Sequence, residues 1–453
     1  MKKREDKGIT LVALVVTIIV LIILAGITLN IVLDQNGIIS KTKEAKNKTT
    51  ETQEKEKLQL AVVSVQMEDA NTLKIEKEKL ESAIKQQFGN DKDFSVIDNG
   101  DKSFLINVND TKRIYYVDES GEVIEQSKML KISTADELKT FRDDVNDGNT
   151  YENWYVYLAN DITLDISEEW EPIGLYFNDI STPDDENNKP FKGIFDGKNH
   201  EINGIYINTT DKIQALFGLV SNGVIKNIGI GAKCEITGGR GTAGVVGYAY
   251  KKSKIYHCYN LSNISINSPS VGGIVGILNN SYVDNCYNLG KINGNTNVGG
   301  IAGYVTLNSK ISQSYNAGSI GGNEYYVGGI SGYTYIKSSI NSCYNIGEIK
   351  ADKILGGITG YIRDNAYIQN CYSIGQIIGN SNVSGIVGHV NVGEIYNCFY
   401  LENTVNNSND KINREGVLYV TEDELKRMSV NIGEAFVNDL ENKNNGYPIL
   451  NWQ

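Results

Sequence analysis

The repeat that decides the fold is clearest in residues 272–303, which read GGIVGILNNSYVDNCYNLGKINGNTNVGGIAG. The motif GIVG, or a close variant of it, is present in seven copies. Successive copies are separated by 29, 29, 27, 29, 28 and 28 residues. Such regular spacing indicates an architecture in which each unit stacks on the next. The last glycines of the seven copies are Gly218, Gly247, Gly276, Gly303, Gly332, Gly360 and Gly388.

A second marker, NCYN or a close variant, follows each copy except the first, which carries KNIG from Lys226 instead. Each unit contains short runs of Ile, Val, Tyr and Thr separated by Gly, Asn and Ser, with no sustained helical period. Because such short strands cannot bury an apolar face alone, we expect them to coil, each repeat lying about 4.8 Å above the last. The pattern predicts a mainly β fold built on a parallel β-solenoid, right-handed by the general preference of crossover connections.

The flanking segments carry a resemblance to a known family. Residues 191–207 read FKGIFDGKNHEINGIYI and residues 215–230 read ALFGLVSNGVIKNIGI. Together with the repeats they resemble the GLUG-motif family of bacterial surface proteins, and the resemblance covers about residues 138–453. That family includes the repeat region carried by immunoglobulin A1 proteases and by many adhesin-like proteins. The resemblance implies a β-solenoid exposed at the cell surface, and it carries over no catalytic residue.

Stacked repeats place equivalent residues in columns. One column holds five cysteines and a serine, which we expect to be buried free thiols, because coils about 4.8 Å apart exceed the usual Cβ separation of a disulfide. A disulfide ladder or a metal site is the alternative. The asparagines two positions later predict a ladder of side-chain amides at a turn. The columns are Cys258, Cys286, Ser314, Cys343, Cys371 and Cys398, and Asn260, Asn288, Asn316 and Asn345.

A tyrosine column lies between these two and is the candidate ligand surface. If the cysteines point inward, strict alternation turns the tyrosine rings outward, where they can stack on sugar rings or contact a protein. The alternative is an internal aromatic stack at a corner of the coil. The column consists of Tyr259, Tyr287, Tyr315, Tyr344 and Tyr372, and it continues to Phe399.

The charge distribution argues against catalysis and against nucleic-acid binding. The chain has 43 Lys and Arg against 55 Asp and Glu, a formal net charge of −12, whereas a nucleic-acid binder needs a basic footprint. Residues 244–400 contain nine basic and six acidic side chains at scattered repeat positions. Polysaccharide lyases and hydrolases need clustered carboxylates. With no HExxH motif either, we expect no catalytic residue, no metal site and no cofactor.

The N-terminus predicts export and anchoring. A basic leader, MKKREDK, precedes an uncharged run at residues 9–33 that is long enough for a transmembrane helix. Residues 7–29, KGITLVALVVTIIVLIILAGITL, resemble a type IV prepilin or pseudopilin N-terminus, which implies cleavage between Gly8 and Ile9 by a prepilin peptidase. The family usually has glutamate at the fifth mature position. Here that position is Ala13, which argues against a major filament subunit.

The segment after this run predicts a helical stalk and a small antiparallel sheet. Leu58, Val62 and Val65 follow helical spacing, and a second helix is expected around residues 72–88. Alternating strands with turn signals then predict a pilin-like α+β region. Beyond it, a capping box opening at Thr134 and a helix near Thr421 predict caps on the solenoid.

The predicted organisation has five parts: a leader and transmembrane helix (1–33), a stalk and small sheet (34–127), an N-terminal cap (128–213), the solenoid (214–400) and a C-terminal cap (401–453). We expect a membrane-anchored protein on the extracellular face, adhesin-like or minor-pilin-like, that binds a host or neighbour glycan or protein without catalysis. Pilus or secretion machinery is a further expected partner. The alternatives are a polysaccharide-degrading enzyme and a purely structural spacer.

Overall fold

The computed structural model describes residues 38–68, 75–89, 93–98, 103–118, 121–125, 128–177, 186–405 and 415–453. The chain divides into two compact units, Met1–Val123 and Ile124–Gln453, and each is described by itself. The helices of the described residues are α1 (Ile38–Glu68), α2 (Lys77–Phe88), α3 (Ala135–Asn146), α4 (Glu422–Lys426) and α5 (Ser429–Ile432).

The fold class predicted from the sequence was wrong in one element, the transmembrane helix. Within the described part of the chain, no helix combines the length and the apolar character needed to cross a membrane. Residues 9–33, on which the prediction rested, lie outside the described residues. The corrected fold class is mainly β, with a parallel β-solenoid and a smaller α+β unit.

The first unit packs α1 and α2 against a four-stranded sheet. The predicted apolar face of α1 is confirmed, since Leu58, Val62 and Val65 are buried. A buried carboxylate ties helix to sheet: Glu54 Oε2 accepts hydrogen bonds from Tyr115 Oη at 3.1 Å and from Arg113 Nη1 at 3.2 Å. The strands are Phe94–Asp98, Phe104–Val108, Arg113–Val117 and Val123–Glu125, and the first three pair antiparallel as predicted.

The second unit is a parallel β-solenoid whose coils contain up to five short strands. We number the sides of the coil faces 1 to 5 in chain order. Face 1 begins in the GIVG motif, and face 3 holds the Tyr-Asn pair of the second marker. Face 1 comprises Phe217–Ser221, Val246–Tyr250, Val275–Asn279, Ala302–Thr306, Ser331–Thr334 and the first parts of Thr359–Gln369 and Val387–Tyr396. Face 3 comprises the end of Val224–Ile230, then Tyr259–Asn260, Tyr287–Asn288, Tyr315–Asn316, Tyr344–Asn345, Tyr372–Ser373, Cys398–Leu401 and Val417–Val420.

The other faces complete each coil. Face 2 comprises the start of Val224–Ile230, then Lys254–Tyr256, Tyr282–Asp284, Lys310–Ser312, Ser339–Asn341 and the last parts of the two long strands of face 1. Face 4 comprises Tyr206–Asn208, Glu235–Thr237, Asn263–Ser265, Ile292–Gly294, Ile320–Gly322, Ile349–Lys350 and Ile377–Ile378. Face 5 comprises Thr242–Ala243, Val271–Gly272, Val298–Gly299, Tyr325–Gly328, Lys353–Gly356 and Ser381–Ser384.

Register and core follow from the repeat. Each residue pairs with its equivalent in the next coil, as Tyr287 pairs with Tyr315 and Ile292 with Ile320. The inward positions hold Ile, Val and Cys side chains that are buried throughout, and removing one such aliphatic side chain from water contributes about 1.5–3 kcal/mol. The stacked parallel coils predicted from the spacing are therefore confirmed.

The NCYN marker has a backbone cause. The residue before each cysteine position turns a corner with φ between 43° and 52°, in the left-handed region that Asn tolerates better than most residues. A β-branched residue there would be strained, so the recurring asparagine is explained by the corner. These corner residues are His257, Asn285, Gln313, Ser342, Asn370 and Asn397.

Additional elements flank the coils. The strands Met129–Ile132, Tyr155–Leu158, Ile162–Thr163 and Ile194–Asn203 form the first coils, and α3 packs its apolar side, including Phe141, into their core. The predicted cap at Thr134 is confirmed: its hydroxyl accepts from the Glu137 amide at 3.2 Å, although the Glu137 carboxylate accepts from Ser133 rather than from Thr134. At the other end, a capping box opens α4 at Thr421, and Phe436–Val437 pairs antiparallel with Ile449–Leu450.

Candidate functional site

The cysteine column lies inside the coils. All six cysteines are buried and free, so the prediction of buried thiols is confirmed. Within the column, the Cys286 thiol donates to the Asp284 carbonyl at 3.2 Å and accepts from the Cys258 amide at 3.4 Å. Burial raises the pKa of Cys286 well above its usual value. Cys234 lies outside the column, but it is also buried, and burial raises its pKa to about 11.

We predict that thiol labelling at neutral pH will depend on unfolding. Reaction needs an accessible thiolate, and all six thiols are buried. Ellman's reagent should therefore find almost no reactive thiol in the native chain and all six in denaturant. Rapid labelling of several cysteines in the native chain would contradict the buried column.

The asparagine column forms the predicted amide ladder. Asn260 Nδ2 donates to Asn288 Oδ1, Asn288 to Asn316 and Asn316 to Asn345, each at 2.8 Å. Each amide also donates to a backbone carbonyl two residues on, as Asn288 does to Gly290 at 2.8 Å. All four side chains are buried with their donors used, so this column holds the turns in register and is not a ligand site.

The predicted ligand column does form a continuous row. The rings of Tyr259, Tyr287, Tyr315, Tyr344 and Tyr372 follow one another at centroid distances of 4.9–5.1 Å and interplanar angles of 10° or less. In this geometry each ring face is covered by its neighbour, so an added sugar ring finds few faces on which to stack. The arrangement is that of the aromatic stack, which the sequence left open as the alternative.

The first marker, KNIG, is explained by the same row. In the coil before Tyr259, Gly229 occupies the position that tyrosine holds in the later coils. The Tyr259 ring lies over this glycine. A Cβ at Gly229 would lie 2.1 Å from Tyr259 Cζ, so a side chain there would displace the ring. The row therefore begins at Tyr259 because the preceding coil carries glycine.

The chain's own C-terminus covers the other end of the row. Tyr344 and Tyr372 are 1% and 0% exposed, whereas Tyr259, Tyr287 and Tyr315 are partly exposed. The covering residues include Phe436, whose ring centre lies 5.6 Å from that of Tyr372 and 6.4 Å from that of Tyr344. Two of the five predicted ligand tyrosines are thus inaccessible. We name the covering segment, residues 429–453, the C-terminal strap.

A second tyrosine cluster was missed by the sequence reasoning. It lies on the outward side of face 1 and on the adjoining edge of face 5, and its rings contact one another across successive coils. Most of its members are partly or well exposed. The available signal was the tyrosine that follows the motif glycine in four of the seven copies. We name this cluster the tyrosine patch; it consists of Tyr304, Tyr325, Tyr326, Tyr333, Tyr335 and Tyr361.

The tyrosine patch differs from the row on face 3 in its ring angles. Tyr304 and Tyr333 are 5.4 Å apart and tilted by 57°, and Tyr325 is tilted by 51° to Tyr326. Other pairs in the patch are stacked, since the Tyr361 ring makes angles of 16° with Tyr333 and 17° with Tyr326, so the patch combines tilted and stacked rings. Burial raises the pKa of Tyr333 to about 12, so its hydroxyl stays protonated and able to donate at physiological pH.

Cationic and polar groups adjoin the patch. The Arg363 guanidinium lies 5.7 Å from the centre of the Tyr335 ring, within the range of a cation–π contact. Asn279, two coils before Tyr335 on face 1, is 9% exposed, and its Oδ1 has no hydrogen-bond partner. Arg240 Nε is also buried without a partner, and burial raises the pKa of Tyr304 while the charge of Arg240 partly lowers it.

Another candidate surface among the described residues is an acidic groove. The groove, of about 980 Å³, includes the carboxylates of Glu169, Glu171 and Asp211 in its lining. Two of them accept hydrogen bonds, Glu169 from the Asn208 amide at 3.3 Å and Glu171 from Asn146 Nδ2 at 3.2 Å. No described residues form a group of three or more His, Cys, Asp or Glu placed to bind a metal. The predicted processing site, Gly8 and Ile9, lies outside the described residues.

Comparison with known proteins yields a structural match. No protein-family model matches the chain, and no curated protein matches it. A crystal structure from Bacteroides ovatus, named as a candidate immunoglobulin A1 protease, aligns at a TM-score of 0.46 and 20% identity. The alignment covers 72% of this chain and 94% of that one.

Proposed function

We propose that the β-solenoid is a non-catalytic binding module that holds a glycan chain on the tyrosine patch. One observation carries the proposal: six tyrosines from successive coils lie together on one side of the solenoid, and five of them are partly or well exposed to solvent. Aromatic clusters of this kind mark recognition surfaces, because a tyrosine offers a broad apolar face and a hydrogen-bonding tip at low entropic cost.

The shape of the patch favours a linear ligand. Equivalent residues of neighbouring coils lie about 4.8 Å apart, so Tyr304, Tyr333 and Tyr361 form a narrow row along the solenoid axis. A polysaccharide or other extended chain fits such a row better than a broad protein surface does. Tyrosine hydroxyls suit the many hydroxyls of a sugar, and the partly exposed rings offer apolar area for contact with it.

We predict that Tyr333→Ala and Tyr304→Ala will each weaken glycan binding about tenfold or more, since one aromatic contact contributes about 0.5–1.5 kcal/mol beyond the area it buries. The measurement is a glycan array followed by titration of the best binder with the purified chain. Tyr282→Ala is the matched control, because Tyr282 is half-buried on face 2, away from the patch. If both patch variants bind as the wild type does, the patch is not the site.

The same assay tests the enzyme alternative, which the acidic groove favours. A polysaccharide-degrading enzyme needs a carboxylic acid and a carboxylate placed on either side of the scissile bond. If new reducing ends or unsaturated products appear, and Glu169→Gln abolishes them, the function is cleavage of the glycan and not binding alone. Retention of intact glycan supports the proposal.

The location of the protein is part of the proposal. The resemblance to GLUG-motif surface proteins and the basic leader of the N-terminus support export to the cell surface, in an adhesin-like or minor-pilin-like role. Cleavage between Gly8 and Ile9 by a prepilin peptidase belongs to the same proposal. Cell fractionation with N-terminal sequencing of the mature chain tests both statements.

A further inference from the structure

We propose that the ligand of the tyrosine patch is an acidic glycan whose carboxylate is bound by the guanidinium of Arg363. The inference rests on the proposed glycan-binding function. It adds the charge of the ligand, the side chain that binds this charge and the direction in which the glycan lies on the solenoid.

The first support is the local charge of face 1. Its strands from Val246 onward, with the turn that follows each of them, contain four basic residues and one acidic residue, a net charge of +3 in a chain of −12. A basic strip on an acidic protein attracts anions selectively. The basic residues are Lys251, Lys252, Lys337 and Arg363, and the acidic residue is Asp364.

The second support is the geometry at Arg363. Its Nε donates to Asp364 Oδ1 at 3.3 Å, but the two side chains are 46% and 41% exposed, and exposed pairs of this kind contribute little. A guanidinium has five N–H donors, so it can also donate to a ligand carboxylate without losing this contact. Because Arg363 lies over the Tyr335 ring, a sugar stacked on the patch brings its carboxylate within reach.

The third support is at the opposite end of the same outward row. Asn279 is nine-tenths buried, donates through Nδ2 to Tyr248 Oη at 2.9 Å and leaves Oδ1 without a partner. A buried polar atom without a partner is costly, so a ligand hydroxyl that reached Oδ1 after a small side-chain movement would stabilise it. Asn279 and Arg363 are three coils apart, about 14 Å, so one chain lying along the axis can meet both.

The density of charge separates an acidic glycan from a nucleic acid. A nucleic acid strand carries a phosphate about every 3.4 Å, and its binders use many cations to meet them. Face 1 offers four basic side chains over six coils. Sparse carboxylates match this spacing, whereas a phosphate backbone does not.

The test compares glycans of different charge on the full chain. Alginate and hyaluronate are the acidic probes, dextran is the neutral probe and single-stranded DNA is the alternative polyanion. Arg363→Gln should weaken binding of the acidic probes about tenfold or more and leave dextran unchanged. Lys350→Gln, an exposed cation on face 4, is the matched control and should change nothing.

The outcomes separate the inference from the proposed function. Equal affinity for acidic and neutral glycans, with no effect of Arg363→Gln, overturns the acidic-ligand inference and leaves glycan binding in place. Tighter binding of single-stranded DNA than of alginate also overturns the inference. If no glycan binds a chain that melts cooperatively, the proposed function fails together with the inference. Salt-sensitive binding of alginate that depends on Arg363 supports both.

Discussion

Asp196→Ala should lower the free energy of unfolding of the solenoid by about 3–5 kcal/mol, the usual cost of leaving a buried charge without its partner. Asp196 and Lys226 are each 1% exposed, and Lys226 Nζ lies 3.6 Å from Asp196 Oδ2. Asn227 Nδ2 donates to the same carboxylate at 3.0 Å, and Tyr155 also donates to it. Removing Asp196 therefore takes the carboxylate away from a buried ammonium and from two buried hydrogen-bond donors. Chemical denaturation followed by circular dichroism gives the difference.

Two controls separate burial from charge. Asp352→Ala removes one member of an exposed pair, in which Lys353 Nζ lies 3.6 Å from the carboxylate, and it should change stability by less than about 1 kcal/mol. A double variant, Asp196→Leu with Lys226→Met, should cost less than Asp196→Ala, because no charge is left buried. If Asp196→Ala costs no more than Asp352→Ala, the buried pair does not stabilise the first coils.

The same pair gives the stability a dependence on pH. Burial raises the pKa of Asp196, but the charges of Lys226 and Lys198, with hydrogen bonds from Tyr155 and Asn227, outweigh it, so the pKa lies below its usual range. A depressed carboxyl pKa contributes stability that is present above the unfolded value of about 3.9 and is lost as the pH falls through the folded value. The advantage of the wild type over Asp196→Asn should therefore shrink below about pH 4.

The repeat allowed most of the solenoid to be predicted. The spacing of the GIVG glycines determines the coil, and the cysteine and asparagine columns follow because equivalent residues must stack. The corner at the NCYN marker was not predicted, because a left-handed φ at Asn285 leaves no periodic signal beyond the asparagine itself. The pair of Asp196 and Lys226 was also missed, because the two residues meet only through the register of adjacent coils.

The site was harder to predict than the fold, for two physical reasons. Alternation gives the side on which a tyrosine lies but not the tilt of its ring, and the tilt decides whether a ring face is open. Every ring of the row from Tyr259 to Tyr372 is stacked on its neighbour, whereas the tyrosine patch also contains tilted pairs such as Tyr304 and Tyr333. The second reason is distance along the chain: Trp452 reaches Gln313 across 139 positions, a contact that no local pattern encodes.

Tyr372→Ala should cost about 3–5 kcal/mol, the usual range for removing a buried aromatic side chain, and it should detach the C-terminal strap. The ring of Tyr372 lies 5.0 Å from that of Tyr344 and 5.6 Å from that of Phe436. Its hydroxyl donates to the Pro448 carbonyl and accepts from Asn444 Nδ2 at 2.8 Å. One side chain thus joins the row to the strap at three points. Denaturation measures the cost, and amide hydrogen exchange over residues 436–453 measures detachment.

Two further variants identify which contact matters. Tyr372→Phe keeps the ring and removes only the hydroxyl, so it should cost about 1–2 kcal/mol and leave the strap largely protected. Tyr259→Ala removes a partly exposed ring at the open end of the row, far from the strap, and should leave exchange over residues 436–453 unchanged. Because the strap covers the part of the row that the sequence offered as a ligand surface, unchanged protection in Tyr372→Ala would mean that the strap is held by other contacts. The stacked row would then be a stabilising element of the coils alone, and the proposal for the tyrosine patch would be unaffected.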